Sequence, residues 1–172
     1  MQSHISNKKI AYISLLTTLA LICSYVETII PLNFGIPGIK IGLANIVSVV
    51  AIYLFESYIA IIIVIIRVLI SGFLFGNMYG ILYSMAGGII SIIIMIFIRK
   101  SDLFSIFGVS IAGGVTHNLA QLMVAVLVVN QIRLSFCGPV LIVSGTIMGG
   151  IIGILARSVI KVLKHMFDSG KL

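Results

Sequence analysis

The sequence predicts an all-α polytopic membrane protein that crosses the bilayer six times. Of its 172 residues, 60% are hydrophobic and only 9% are charged, whereas average soluble domains carry about 25% charged residues. Each crossing of the ~30 Å hydrocarbon layer needs about 20 residues, so six crossings leave about 50 residues for loops. The apolar runs are continuous, as from residue 58 to 66, and do not alternate as the strands of a membrane β-barrel do. Soluble enzyme classes are excluded as well.

Six apolar segments follow one another along the chain. The first begins after Lys8 and Lys9 and is longer than the apolar core of a signal peptide, so we predict that it is retained. The second is short, and only Glu56 and Ser57 separate it from the third. This indicates a tight hairpin whose second helix is tilted or partly buried. The predicted spans of a single membrane domain, 1–172, are residues 10–30, 41–55, 57–75, 79–98, 104–129 and 138–163.

The basic residues predict the orientation, because cytoplasmic loops carry the excess of lysine and arginine. With both termini in the cytoplasm, eight basic residues lie inside, two lie outside and Arg67 stays within the membrane. Since the net charge of +7 is explained by this distribution, it does not indicate binding to nucleic acid. The eight are Lys8, Lys9, Arg99, Lys100, Arg157, Lys161, Lys164 and Lys171, and the two are Lys40 and Arg133.

Glycines inside the spans indicate close packing of helices. In lipid, small residues at four-residue spacing let two helix backbones approach each other and gain dispersion contacts. The sixth span carries two consecutive GxxxG steps, and the third carries one. The predicted packing glycines are Gly72, Gly76, Gly145, Gly149 and Gly153.

Arg67 is a charged residue near the middle of the third predicted span. A lipid-facing arginine at this depth costs about 2.5–3.5 kcal/mol on insertion scales, so we predict that Arg67 faces the interior of the bundle. Two interpretations stay open. Arg67 either bonds carbonyl groups inside the bundle or holds an anionic group of a ligand.

The fifth span carries a polar stripe. Ser110, Gly114, His117 and Gln121 follow one another at steps of four, three and four residues, which places them on one face of a helix. Asn118 adjoins this stripe. Its members either pack against a neighbouring helix or line a polar cavity, and the combination of His and Gln beside glycine favours the cavity.

Further polar residues are predicted at the external ends of the spans. The loop from Pro31 to Lys40 contains two prolines and two glycines among apolar residues, which is typical of a stiff covering segment. Almost all intramembrane polar residues lie at mid-depth or further out, so we predict an outward-opening cavity for a small anionic molecule. The candidate ligand-binding residues are Asn33, Lys40, Asn45, Arg67, Asn77, Tyr83, His117, Asn118 and Gln121.

Catalytic signals are absent from the sequence. It contains no Walker A motif and no aspartate-rich motif that would hold magnesium against a diphosphate. Cys23 and Cys137 have no metal-ligand spacing, and no triad or carboxylate pair is present. We therefore predict a protein that is not an enzyme and that needs neither a metal nor a cofactor.

Four motifs together resemble a bacterial family called heptaprenyl diphosphate synthase component I, also named the Gx transporter family. They are GIKIGLAN at 38–45, RVLISGFLFG at 67–76, SMAGGIIS at 84–91 and FSIFGVSIAGGVTHN at 104–118. The resemblance implies a bundle like the six-helix S-components of energy-coupling factor transporters, in the bacterial cytoplasmic membrane. Such components bind a vitamin or similar nutrient from outside and work with a transmembrane coupling subunit and two ATPase subunits.

The resemblance and the polar residues together predict the substrate-binding component of an uptake transporter, with a small anionic or amphipathic solute and the lipid bilayer as its immediate partners. One departure concerns the first span: many S-components carry Ala-x-x-x-Ala there, whereas this chain has Ala20-x-x-x-Ser24. The alternative is a noncatalytic membrane subunit associated with prenyl diphosphate or quinone metabolism, or with a flavin- or quinone-linked electron-transfer assembly.

Overall fold

The computed structural model describes residues 7–29 and 42–168, with the side chains of 7–9 and 166–168 left out. Over these residues the chain forms six α-helices and no strand, so the predicted all-α polytopic bundle is confirmed. A short 3₁₀ helix, Ile132–Cys137, precedes the last α-helix. The helices are α1 Asn7–Ile29, α2 Asn45–Leu54, α3 Ser57–Phe75, α4 Met78–Lys100, α5 Ile106–Val129 and α6 Gly138–Asp168.

Five of the described helices are long and apolar enough to cross a membrane, all except α2. Large apolar side chains cover their outer surfaces. Phe97 is 75% exposed, and Phe73 and Leu127 are each 72% exposed. Such a surface is expected where lipid replaces water, because hydrocarbon solvates these side chains as well as a protein core does.

The second helix is shorter than its predicted span. At about 1.5 Å per residue, the 10 residues of α2 reach about 15 Å, half of the hydrocarbon layer. The predicted span 41–55 was too long because residues 42–44 form a turn, in which Asn45 N donates to the carbonyl of Gly42 over 2.8 Å and Gly42 adopts a φ of 75°.

α2 lies inside the bundle. Residues Val47 to Ile52 are all buried, which is expected for a helix that is apolar on every side. Its C-terminal end is held by Arg99 of α4, which donates to the carbonyl of Ile52 and stacks over the ring of Tyr53 at 5.0 Å. The arginine satisfies a carbonyl that the helix end leaves without an intrahelical partner.

Short turns connect the remaining helices. Phe55 and Glu56 separate α2 from α3, as the predicted hairpin requires. Gly76 and Asn77 join α3 to α4, and the side chain of Asn77 accepts a hydrogen bond from Gly80 N at 2.8 Å. Ser105 caps α5, and α5 ends at Asn130, which adopts the left-handed conformation with φ 53°. Each cap satisfies backbone groups that the helix end exposes.

Glycines bring α5 and α6 into backbone contact along what we call the α5–α6 seam: Gly114, Gly145, Gly149 and Gly153. A Cβ added at Gly114 would lie 2.5 Å from the carbonyl oxygen of Gly145, and one added at Gly149 would lie 2.8 Å from Ile111 Cα. Ser110 Oγ donates across the seam to the carbonyl of Gly149 at 2.7 Å. These two helices therefore form a closely packed pair.

The two glycines of α3 differ from each other. A Cβ at Gly72 would lie 2.1 Å from Ile81 Cγ1 of α4, so Gly72 admits the neighbouring helix. The nearest atoms to a Cβ at Gly76 belong to Gly72 on its own helix. Gly76 ends α3, and its backbone N–H donates to the carbonyl of Gly72.

Candidate functional site

A cavity of about 320 Å³ lies where α1 ends and α2 and α4 begin. All six helices contribute to its walls. Its volume is at the lower end of the usual range for small-molecule sites, roughly 300–1,000 Å³. The polar residues of its walls include Ser24 and Glu27 of α1, Asn45 of α2, Arg67 and Ser71 of α3, Ser84 of α4, and His117 and Asn118 of α5.

Arg67 is the central charged residue of this cavity. It is the eleventh of the 19 residues of α3, faces the interior and is 7% exposed. Within the described part of the chain, its Nε and Nη2 atoms are buried and have no hydrogen-bond partner. Glu27 lines the same cavity and attracts the guanidinium electrostatically. The prediction that Arg67 faces the bundle therefore agrees with its position.

Two glycines of α4 make room for side chains of both neighbouring helices. A Cβ added at Gly87 would lie 2.8 Å from Gln121 Cγ and 3.0 Å from His117 Cε1. One added at Gly88 would lie 2.8 Å from Val64 Cγ1 and 4.0 Å from Arg67 Nη2. The pair Gly87-Gly88 therefore lets α3 and α5 bring Arg67 and His117 against the same stretch of α4.

His117 and Gln121 form a side-chain pair on α5. The Nε2 atoms of the two residues lie 3.1 Å apart, and both side chains are buried. Because an amide N–H can only donate, the histidine Nε2 accepts, and a neutral ring then carries its proton on Nδ1. His117 lines the cavity, whereas Gln121 is not among the lining residues. Gln121 therefore orients His117 from behind the wall.

Asn118 connects the cavity wall to α6. Its Nδ2 donates to the carbonyl of Leu141 at 3.0 Å and to Ser144 Oγ at 3.2 Å. Both amide hydrogens thus point towards α6. Asn118 lines the cavity and at the same time holds α5 and α6 in register.

The other predicted ligand-binding residues are placed differently. Asn45 lines the cavity at the start of α2. Asn77 is exposed and caps α4, and Tyr83 is half-buried outside the lining. Asn33 and Lys40, together with the proposed covering loop, lie outside the described residues.

Several lining residues were not among the predicted binding residues. Ser71 lies four residues after Arg67 on the same face of α3, and Ser24 lies three residues before Glu27 on α1. Helical spacing from Arg67 would have identified Ser71. Glu27 was one of the polar residues expected at the external ends of the spans, although it was not selected as a binding residue. Ser84 had no comparable signal, because its contribution depends on how α4 packs around α3.

The cavity wall combines polar and apolar groups. Besides its polar groups, it contains the apolar side chains of Phe75, Met148 and Ile152. Among the described residues, no group of three or more His, Cys, Asp or Glu side chains is placed to hold a metal ion. The arrangement can bind a small molecule that has one polar or anionic end and an apolar body.

The comparisons with known proteins give one positive result. The model of a family described as heptaprenyl diphosphate synthase component I matches residues 16–159. No curated protein and no solved structure matches the chain. The matched region runs from α1 into α6 and includes every cavity-lining residue named above.

Proposed function

The chain belongs to the heptaprenyl diphosphate synthase component I family, and from this membership and the cavity we propose that it is a substrate-binding membrane protein. It captures a small anionic or amphipathic solute from the external side. The observation that carries the proposal is the buried Arg67 in the wall of a cavity of about 320 Å³. A buried charge without hydrogen bonds is costly, and a transient ligand supplies the missing acceptors.

The distribution of charge supports an external opening. The cavity adjoins the start of α4, whereas Arg99 and Lys100 lie at the end of that helix. On α6 the cavity contacts residues 145–152, and Arg157, Lys161 and Lys164 follow further along. The positive-inside rule places these cationic ends in the cytoplasm. The cavity then opens outward, and both termini are cytoplasmic.

Cysteine labelling tests this orientation. In a Cys23→Ser/Cys137→Ser background, Ile132→Cys is expected to react with a membrane-impermeant maleimide on intact cells, and Ser101→Cys is expected to react only after lysis. Both positions are exposed, so reactivity reports the side of the membrane. Labelling of residue 101 in intact cells would reverse the orientation.

A transporter role requires energy from other subunits, because the sequence has no Walker A motif. We propose a transmembrane coupling subunit and ATPase subunits as partners. Ala20 and Ser24 are 1% and 8% exposed, inside the bundle. A coupling subunit would therefore dock on another surface of this protein and not on the Ala20-x-x-x-Ser24 pair.

The alternative function is a noncatalytic subunit of prenyl diphosphate synthesis, which the printed description of the family favours. Such a role implies partner subunits of a synthase. The two functions differ in which proteins copurify: ATPase and coupling subunits, or a prenyl synthase subunit.

Native mass spectrometry of gently purified protein tests solute capture. We expect a retained small molecule in the wild type and its loss in His117→Ala, since a hydrogen bond to a charged group contributes about 1.5–3 kcal/mol, or 10- to 150-fold in affinity. Gln121→Ala should also weaken retention, because it removes the side chain that orients His117. His165→Ala and Gln131→Ala are matched controls at exposed positions and should retain it. Equal retention in all four variants would place the binding site elsewhere.

A further inference from the structure

Two nitrogen atoms of Arg67 share an unusual feature. Nε and Nη2 are both buried and, within the described residues, neither has a hydrogen-bond partner. In a guanidinium group these two atoms form one edge, the edge opposite Cδ, and their N–H bonds point nearly parallel. We call this pair the Nε–Nη2 edge. Its two donors match two oxygen atoms of a single planar group.

Burying these two donors without hydrogen-bond acceptors is energetically unfavourable. Buried polar groups in proteins are nearly always hydrogen-bonded, and an ionised donor pays the largest penalty when it is not. Arg67 lines the cavity, so binding through this edge requires the guanidinium to turn towards the cavity space. Nη2 itself lies against α4, where a Cβ added at Gly88 would be 4.0 Å away.

We propose that the captured solute carries a carboxylate group, which the Nε–Nη2 edge of Arg67 binds through two parallel hydrogen bonds. This inference rests on the proposed solute capture and specifies the chemical class of the solute. A carboxylate offers two coplanar oxygens at the spacing of the edge, and such forked pairs are shorter and stronger than single hydrogen bonds.

Charge selects a carboxylate over a phosphate. Among the described residues that line the cavity, Arg67 is the one lysine or arginine, and Glu27 adds a negative charge to the same space. A phosphate close to its dianionic form would bring two further negative charges into a buried site. A carboxylate brings a single charge, so less net charge is removed from water.

The remaining wall describes the rest of the solute. Phe75, Met148 and Ile152 provide apolar surface, and the cavity holds about 320 Å³. The hydroxyl of Ser71 lies one helical turn beyond Arg67. We therefore expect a small monocarboxylate with a compact, partly apolar body.

Nitrogen-15 NMR tests the edge directly, with acetate, acetamide and phosphate as probes. The chain contains four arginines, Arg67, Arg99, Arg133 and Arg157, so protein labelled at arginine and held in detergent gives four Nε–H signals. Single Lys substitutions at the other three positions identify the Arg67 signal in a folded protein with its cavity intact. We expect acetate to shift the Arg67 signal saturably, acetamide to leave it unchanged, and phosphate to act only at concentrations at least tenfold higher. Arg157, which is exposed, is the control and should show no saturable response.

The outcomes separate this inference from the proposed function. An Arg67 signal that ignores acetate, or that responds to phosphate at an equal or lower concentration, overturns carboxylate recognition. If the wild type nevertheless retains a small molecule in native mass spectrometry, solute capture stands and only the chemical class is wrong. If acetate binds Arg67 but no molecule is retained or transported, the edge is confirmed as an anion site and the proposed function fails.

Discussion

Gly149→Leu is expected to lower the melting temperature of the detergent-solubilised protein by roughly 6–12 °C, since overpacking costs up to about 3 kcal/mol and each kcal/mol shifts a chain of this size by about 2–4 °C. The reason is the position of Gly149 at the centre of the α5–α6 seam. A Cβ there would lie 2.8 Å from both Ile111 Cα and the carbonyl oxygen of Ser110. Backbone atoms cannot rotate away as a side chain can, so α6 must move outward.

The movement also breaks a hydrogen bond. Ser110 Oγ donates to the carbonyl of Gly149 at 2.7 Å, and separating the helices leaves both groups in an apolar environment. An unsatisfied buried polar group costs about 1–3 kcal/mol. The predicted loss of stability therefore combines a steric term with a polar term at the same position.

Gly150→Leu is the matched control, because it changes the same residue type at the next position of the same helix. The nearest atoms to a Cβ at Gly150 belong to the ring of Phe107, at 3.3 and 3.4 Å. Phe107 is 44% exposed, so its ring can move towards lipid. We expect a small change in melting temperature for Gly150→Leu. Equal losses in the two variants would show that the seam does not determine the stability of the bundle.

The seam illustrates how much of the fold the sequence could predict. The four-residue spacing of Gly145, Gly149 and Gly153 indicates a helix face that packs closely against another helix. In lipid, burying apolar surface contributes little, so close van der Waals packing is what stabilises such a contact. Spacing cannot identify the opposing helix. Gly114 of α5 supplies the other half of the contact, and this pairing depends on how α5 and α6 are arranged in three dimensions.

The second helix shows the limit for element boundaries. Hydrophobicity predicted a span over residues 41–55, because a helix buried by protein and a helix buried by lipid are equally apolar. Length distinguishes the two, and the ten residues of α2 are too few for that helix to cross the bilayer by itself. The turn at Gly42, with its positive φ, marks the boundary that hydrophobicity could not place.

The cavity-lining residues were predicted best within the spans, where a polar side chain exposed to lipid is energetically unfavourable. Arg67, His117 and Asn118 were selected because polar groups in lipid must face the bundle, and all three line the cavity. Asn77 and Tyr83 were selected for their position near a span end. Asn77 instead satisfies the first turn of α4, a common role of asparagine before a helix. Polarity at a helix end is therefore weaker evidence for a ligand than polarity within a span.

Arg67→Met is expected to raise the melting temperature of the ligand-free protein or leave it unchanged, while abolishing stabilisation by the solute. Methionine fills a similar volume without a charge, so it removes two buried donors that have no partner among the described residues. Polar groups that are kept unpaired for a ligand commonly lower the stability of the ligand-free protein. Loss of the charged hydrogen bonds should weaken solute binding by about 10- to 150-fold or more. Thermal denaturation with and without the retained solute measures both effects.

Arg99→Met is the matched control, because Arg99 is an arginine whose contacts are structural. It donates to the carbonyl of Ile52 and stacks over Tyr53, so its removal should lower the melting temperature and leave solute binding intact. A melting temperature that falls as far for Arg67→Met as for Arg99→Met would mean that Arg67 stabilises the bundle, because a residue held in place only for a ligand contributes nothing to the stability of the ligand-free protein.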